Sequence, residues 1–165
     1  MIALDEAGSH EEIALFNPAF LARILHGAVD DYVKAAGRSM PIPLAFLVTP
    51  LVLHKETRSD LPRSAASQMQ NWIRENPRYA AHVTSRVVGL RVFTGVALRF
   101  GLTHGVLLAD DGLLAAGSLR RRPSGFGLQE TVEIEECLKA GRLVGRWFAR
   151  QPDTATLLAW WGLTA

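Results

Sequence analysis

The sequence has one cysteine and no long apolar run, and both shortages exclude classes of protein. Cys137 has no second cysteine to pair with, so a disulfide scaffold is excluded. The longest apolar run, Ile42 to Leu53, is interrupted by Pro43, Thr49 and Pro50 and is shorter than the roughly 20 residues that span a bilayer. The N-terminal residues carry acids where a secretory signal has basic and apolar stretches. We therefore expect a cytoplasmic protein that does not contact the membrane.

Motifs for catalysis and metal binding are also missing. The five histidines, at positions 10, 26, 54, 82 and 104, do not have the paired spacing of a helical zinc site. The sequence contains no glycine-rich phosphate loop, no nucleophile elbow and no paired carboxylates in a polar setting. It therefore predicts no metal, no cofactor and no enzymatic activity.

The composition is that of a folded domain. The 165 residues are 48% hydrophobic and 21% charged, with a net charge of +2, which excludes a disordered chain. A chain of this length buries roughly 68–70% of its unfolded surface, so it can form a core without disulfides or metals. The apolar fraction is slightly high for a lone domain, and we expect a partner to cover apolar surface on the C-terminal helix and at Trp160 and Trp161.

Hydrophobic periodicity predicts helices in the first third of the chain. Asn17 and Pro18 are typical of a helix start, apolar pairs then recur every fourth residue, and Gly37 is placed to end the helix. The apolar segment from Pro43 predicts a buried helix bent at Pro50.

The middle of the chain predicts a loop and two further helices. Residues Lys55 to Arg63 are polar and predict a loop, after which Ser64 can cap a short helix that ends at Asn76. A long helix follows from Tyr79 to Gly101. Gly89 and Gly95 inside it each cost about 1 kcal/mol relative to alanine, so the helix either breaks there or is approached closely by a neighbour.

A hairpin and two helices complete the predicted elements. Asp111 and Gly112 lie between two short apolar runs, the strongest hairpin signal in the sequence. A long helix is expected from Leu128 to Gln151, followed by a short one capped by Asp153. Glycines at positions 141 and 145 would let another helix approach closely, from this chain or from a partner.

Together these elements predict a mainly α fold, a helical bundle with one β-hairpin and additional C-terminal helices. The order is winged-helix-like, because a bundle of helices is followed by a helix and a hairpin, and in the winged-helix plan a short β-ribbon follows the third helix. We expect a single domain, residues 1–165, with a winged-helix-like core at 13–117, a mobile connector at 118–127 and a C-terminal helical pair at 128–162.

Three basic groups are candidate binding surfaces. The first is a stripe on one face of the long C-terminal helix, and the second is a polar cluster directly after the apolar segment. The third follows the hairpin, where a wing would contact phosphates. The groups are, in that order, Lys139, Arg142, Arg146 and Arg150; His54, Lys55, Arg58 and Arg63; and Arg120, Arg121 and Arg122.

Each group also has a simpler interpretation. Glutamates at the start and cations at the end of a helix complement its macrodipole, by roughly 0.3–1 kcal/mol each. Cations at the end of the apolar helix are equally ordinary, and the three consecutive arginines can form a solvated loop.

Several blocks, taken in order, resemble the middle component family of bacterial three-component ABC systems. The similarity runs from about residue 13 to residue 163. The blocks are Asn17-Pro-Ala-Phe-Leu21, Pro43 to Arg58, Leu61-Pro62, Trp72-x-x-x-Asn76, Gly145-Arg-Trp-Phe148 and Trp161-Gly162. The resemblance implies an operon with an ABC-type ATPase of the chromosome-maintenance and repair kind and a third, effector-bearing protein. It implies a role in nucleoprotein dynamics or antiviral defence and supplies no catalytic residue.

Three functions follow from these observations. The first is an adaptor that bridges the ATPase and the third component through His54 to Arg63 and Lys139 to Arg150. The second is a DNA-binding winged helix with Arg120 to Arg122 on phosphates, and the third is an enzyme of unrecognised type. A homodimer is open in each case.

Overall fold

The fold is a helical bundle with a small antiparallel sheet at one edge. The computed structural model describes residues 16–119 and 132–164, and seven helices and three strands lie in these ranges. In chain order they are α1 (Pro18–Ala36), β1 (Met40–Pro41), α2 (Ile42–Leu53), α3 (Lys55–Asp60), α4 (Met69–Glu75), α5 (Pro77–Thr103), β2 (Leu107–Asp110), β3 (Leu113–Ala116), α6 (Val132–Ala149) and α7 (Thr154–Trp160). The prediction of a mainly α fold with a β-hairpin is confirmed.

Helix α1 begins and ends at the predicted residues. The side chain of Asn17 accepts a hydrogen bond from the Ala19 N–H (2.9 Å), which satisfies a donor that the first turn leaves free. Gly37 has a φ of 68°, and its N–H donates to the Val33 carbonyl (2.8 Å). The left-handed conformation that glycine tolerates therefore ends the helix.

Helix α2 is buried on nearly all sides and includes Pro50. It is followed directly by α3, where the sequence predicted a loop, and that prediction is wrong. The ring Nδ1 of His54 accepts a hydrogen bond from the Thr57 N–H (3.2 Å) and so caps a short helix that has no apolar periodicity. In residues 16–119 and 132–164, no helix is long and apolar enough to cross a membrane.

Helix α5 is continuous over 27 residues, or about 40 Å at 1.5 Å per residue. The predicted break at its glycines does not occur. A Cβ atom built at Gly89 or Gly95 would meet no atom within 4 Å, so the described chain supplies no close neighbour either. The short helix before α5 begins at Met69 instead of Ser64, because the Ser64 hydroxyl only closes a turn with the Ala66 N–H (3.1 Å).

The predicted hairpin is present and belongs to a three-stranded sheet. Asp111 and Gly112 have φ angles of 46° and 75°, the positive values that a tight two-residue turn needs. The third strand, β1, pairs antiparallel with β3 so that Met40 lies opposite Leu114. The strand order is β1-β3-β2, which ties the hairpin to the connection between α1 and α2.

Helix α6 packs against α1 through its two glycines. A Cβ atom at Gly141 would lie 3.0 Å from the Ile24 side chain, and one at Gly145 would overlap the Ala28 carbonyl group. The close approach predicted from this spacing is therefore made within the chain.

Three of the four tryptophans lie in the core. Trp72, Trp147 and Trp161 are buried, and Trp147 meets Trp72 edge to face at 5.6 Å. The indole N–H of Trp147 donates to the Ser67 carbonyl (2.7 Å), and that of Trp161 donates to the Met69 sulfur (3.3 Å). The expected partner surface is therefore wrong for Trp161, which is 1% exposed, whereas Trp160 is partly exposed and the prediction for it stays a prediction.

Candidate partner-binding groove

Arg58 was predicted to bind a partner, but its side chain is only 3% exposed. Its guanidinium donates to the Val52 carbonyl (2.8 Å) and to the Glu133 carboxylate (3.0 Å), and it lies 3.7 Å from Glu136. The carbonyls at the end of α2 accept hydrogen bonds from the Arg58 guanidinium, and the glutamates at the start of α6 balance its charge. Arg58 therefore joins α2 to α6, and it is too buried to be an exposed binding residue.

His54 has a structural role as well. Besides capping α3, its ring lies 3.1 Å from the Arg86 guanidinium, which also donates to the Thr57 hydroxyl (2.9 Å). Burial and the positive charge of Arg86 lower the pKa of His54 below its ordinary value. The lowered pKa favours the neutral ring at pH 7. Of the predicted cluster, Lys55 and Arg63 remain exposed.

A second polar cluster, which the sequence analysis missed, holds α3 against α5. Arg78 donates to the Asp60 carboxylate (2.9 Å) and to the Tyr79 hydroxyl (2.7 Å), and the Tyr79 hydroxyl donates to the same carboxylate. The hydrogen bond from Tyr79 is the main cause of a lowered pKa of Asp60. Since the residues are 18 and 19 positions apart, no local spacing rule could have found them.

These two clusters fix the segment that forms one wall of a groove. The groove has a volume of about 520 Å³ and lies between residues 58–63 and helix α6. Three exposed cations, Arg63, Lys139 and Arg146, line it, with the apolar side chains of Leu61 and Leu143 between them. The two basic surfaces predicted separately from the sequence thus meet in one place.

The remaining members of the predicted stripe point elsewhere. Arg142 is exposed and packs over α1, where its Cγ lies 3.2 Å from the Cβ position of Gly27. Arg150 lines a smaller hollow of about 290 Å³ beside Trp160. The cations of the predicted stripe therefore lie in three different surroundings, which are the groove, the surface of α1 and the smaller hollow.

One of the three exposed cations of the groove has a partner inside the chain. Arg146 forms an ion pair with Asp31 of α1, and its side chain stays 45% exposed. Lys139 and Arg63 have no ion pair within the described ranges. Their charges are therefore available to an anionic ligand.

The groove combines charged and aliphatic side chains. Its cations and aliphatic side chains suit a carboxylate-bearing surface, and Glu136 is the acid that lines it. The one thiol of the chain, Cys137, is buried, and burial raises its pKa to about 11. A thiol with that pKa is a poor nucleophile.

Arg120, Arg121 and Arg122, predicted to contact nucleic acid, lie outside the described residues, as does the connector at 118–127 apart from its first two positions. Among residues 16–119 and 132–164 no group of three histidine, cysteine or acidic side chains could hold a metal ion.

Fold and groove together describe a small, mainly helical protein with a groove lined by exposed cations. The chain belongs to the ABC-three component (ABC-3C) system Middle Component 3 family, whose model matches residues 5–165. The resemblance drawn from the sequence blocks is thereby confirmed. Comparison with curated proteins gives no match, and comparison with solved structures gives none either.

Proposed function

We propose that this protein is a non-enzymatic, cytoplasmic adaptor that links an ABC-type ATPase to a third component in a prokaryotic defence or nucleoprotein-dynamics system. Membership of the middle component family supports the existence of other components. The observation that carries the adaptor role is the groove in which Arg63, Lys139 and Arg146 converge. We assign this groove to an acidic segment of the ATPase.

The groove suits a protein segment better than a small molecule. It is shallow and open along α6, and its cations come from two separate parts of the chain. An exposed ion pair contributes about 0.2–1 kcal/mol, so three cations provide orientation and a salt-dependent association rate more than high affinity. Leu143, which is partly exposed, supplies an apolar contact for such a segment.

The connectivity supports a winged-helix arrangement for the adaptor. A helix, a short strand, further helices and a hairpin follow one another, and the short strand β1 pairs with the second hairpin strand. In that arrangement the hairpin is the wing and α5 is the helix before it.

A charge reversal in the groove tests the proposal. Arg63→Glu combined with Lys139→Glu should weaken binding to the ATPase encoded beside this gene by at least about tenfold, or 1.4 kcal/mol. Binding of the wild type should fall as salt rises. Both side chains are exposed, so circular dichroism should show an unchanged fold.

Two matched controls accompany this variant. Lys55→Glu and Arg150→Glu reverse exposed cations outside the groove and should leave the affinity unchanged. Equal binding by the groove variant and the wild type would refute the assignment, and so would an equal loss in the controls.

DNA binding is the alternative that the connectivity favours. The outward face of α5, which would approach a groove of DNA, presents Val88, Val92 and Val96, and valine has no donor for a phosphate. Phosphate contacts would therefore come from arginines, and we assign them to Arg120 to Arg122 together with the exposed Arg91 and Arg99 of α5. A duplex titration in which affinity falls steeply with salt, and is lost on replacing these arginines, would support this alternative.

A further inference from the structure

The outer face of α5 is apolar and has no cover within the described residues. Between Val83 and Thr94 the helix has no buried residue. Val88, Val92 and Val96 follow one another at four-residue spacing and are 60%, 65% and 40% exposed. Residues four apart lie on one face of a helix. The three valines therefore form one exposed apolar surface, which we call the valine strip.

The described part of the chain begins beside this strip. Phe16, the first described residue, packs on Phe93 of α5 with the two ring centroids 4.8 Å apart. Around the helix axis, Phe93 lies about 60° from Val96 and about 100° from Val92. The contact of the two rings is therefore at the edge of the valine strip, and the residues that precede Phe16 start there.

The segment that precedes Phe16, residues 1–15, has a composition complementary to this face. It contains four acids and no lysine or arginine, together with large aliphatic residues. The acids are Asp5, Glu6, Glu11 and Glu12, and the aliphatic residues are Ile2, Leu4, Ile13 and Leu15. Such a segment can offer apolar contact and negative charge to the same surface.

Helix α5 carries the opposite charge. It contains four arginines and no acidic residue. Arg78 and Arg86 donate hydrogen bonds to side chains of α3. Arg91 and Arg99 are exposed, and neither has an ion pair within residues 16–119 and 132–164. Two positive charges on the outer side of α5 are therefore available to carboxylates.

The acids of the segment are close enough in sequence to reach these arginines. Glu11 and Glu12 precede Phe16 by five and four residues, a span of up to about 16 Å in an extended chain. Arg99 is six residues from Phe93, or about 9 Å along the helix. A carboxylate can therefore approach Arg99 while Phe16 remains in contact with Phe93.

The covalent connection makes a small contact sufficient. Two separate molecules need roughly 800 Å² per partner for a standard interface. A segment attached at Phe16 is present near its own α5 at an effective concentration of the order of millimolar. The attached segment can therefore cover the valine strip through a contact that would be too weak between separate molecules.

We propose that residues 1–15 cover the valine strip of their own α5, with aliphatic side chains on the valines and carboxylates beside Arg91 and Arg99. The proposal does not depend on the adaptor role of the basic groove. It has a consequence for the alternative function, because this face of α5 is the one that would approach DNA. The acids of the segment would compete with phosphates for the same two arginines.

The reactivity of an introduced thiol measures whether the strip is covered. In the full-length chain, Val92→Cys should react with an uncharged maleimide at least about tenfold more slowly than Ala35→Cys. Ala35 is the matched control, because it is exposed on α1 beside Lys34 and Arg38, so both thiols lie near cations. Cys137 is buried, its pKa is raised to about 11, and it should not contribute. Equal rates at positions 92 and 35 would overturn the proposal.

Charge reversals in the segment test whether it is the occupant. In the Val92→Cys chain, Glu11→Lys combined with Glu12→Lys should raise the maleimide rate by about fivefold, because two ion pairs are lost. Glu75→Lys combined with Glu135→Lys reverses two exposed acids elsewhere and changes the net charge equally, and it should leave the rate unchanged. No rise in the segment variant, or an equal rise in the control, would overturn the proposal.

Dilution distinguishes the segment of the same chain from that of a second copy. A segment on its own α5 gives a maleimide rate at Val92→Cys that is the same at about 1 and about 200 μM protein. A rate that rises on dilution would assign the cover to a second molecule and overturn the proposal. Ile13→Ser combined with Leu15→Ser should raise the rate at both concentrations, since it removes the apolar contact. An unchanged rate in this variant would also overturn the proposal.

Discussion

Replacing Gly145 by alanine should destabilise the protein even though alanine is the better helix former. A Cβ atom at this position would lie 2.7 Å from the carbonyl carbon and 2.9 Å from the Cα of Ala28. Both atoms belong to the backbone of α1 and cannot rotate away. The two helices would have to separate by about 1 Å, because an ordinary contact of a carbon atom needs about 3.5–4.0 Å.

The size of the effect follows from two opposing contributions. Overpacking a tight contact costs about 1–3 kcal/mol, occasionally more, and removal of glycine from a helix returns about 1 kcal/mol. Because rigid backbone atoms are involved, we place the cost at the upper end and expect a net loss of about 2 kcal/mol. For a chain of this length that lowers Tm by about 4–8 °C.

The assay is thermal and urea unfolding of Gly145→Ala beside the matched variant Gly141→Ala. At Gly141 the Cβ would lie 3.0 Å from a methyl group of Ile24 and 3.1 Å from its carbonyl oxygen, a contact that a shift of a few tenths of an ångström relieves. Gly141→Ala should therefore stay within about 1 kcal/mol of the wild type. If Gly145→Ala is as stable as the wild type, or more stable, the close packing of α6 on α1 is refuted.

Two further predictions concern the polar groups beside the groove. Arg58→Ala should lower the free energy of unfolding by about 2–3 kcal/mol, because the Val52 carbonyl and Glu133 lose their hydrogen-bond partner, while Glu133 keeps partial access to water. Lys55→Ala, at an exposed site, should change it by less than about 0.5 kcal/mol, and equal values in urea unfolding would contradict the buried role of Arg58. The pKa of His54 is lowered in the folded state, so the unfolded state binds more protons below about pH 6.5. The free energy of unfolding should therefore fall as the pH drops from about 6.5 toward the pKa of the folded state. His54→Asn retains a capping side chain and should show a weaker pH dependence between about pH 5 and 7; an identical slope in both proteins would exclude His54 as its source.

Local signals in the sequence predicted the elements that local chemistry controls. Asn17, Gly37 and Asp153 each act within a few residues, and the caps that they form were predicted at the observed positions. The turn at Asp111 and Gly112 depends on backbone conformations that those residues favour. Predictions of this kind need no knowledge of the tertiary fold.

Elements that depend on distant partners could not be predicted. Strand β1 has two residues and exists because Met40 meets Leu114, 74 positions later. Arg58 stands in a polar stretch typical of a surface, and its burial depends on Glu133, 75 positions away. The basic groove itself was predicted as two separate surfaces, because only the folded chain brings residue 63 beside residue 139.

The contact between α1 and α6 has a consequence for synthesis of the chain. Gly145 follows Ala28 by 117 residues, so the inner face of α1 leaves the ribosome long before the helix that covers it. At about 5–20 residues per second this delay is roughly 6–23 s. During that time the face of α1 that α6 covers in the folded protein has no partner helix, so the tight contact at Gly145 forms only after nearly all of the sequence printed here has been synthesised.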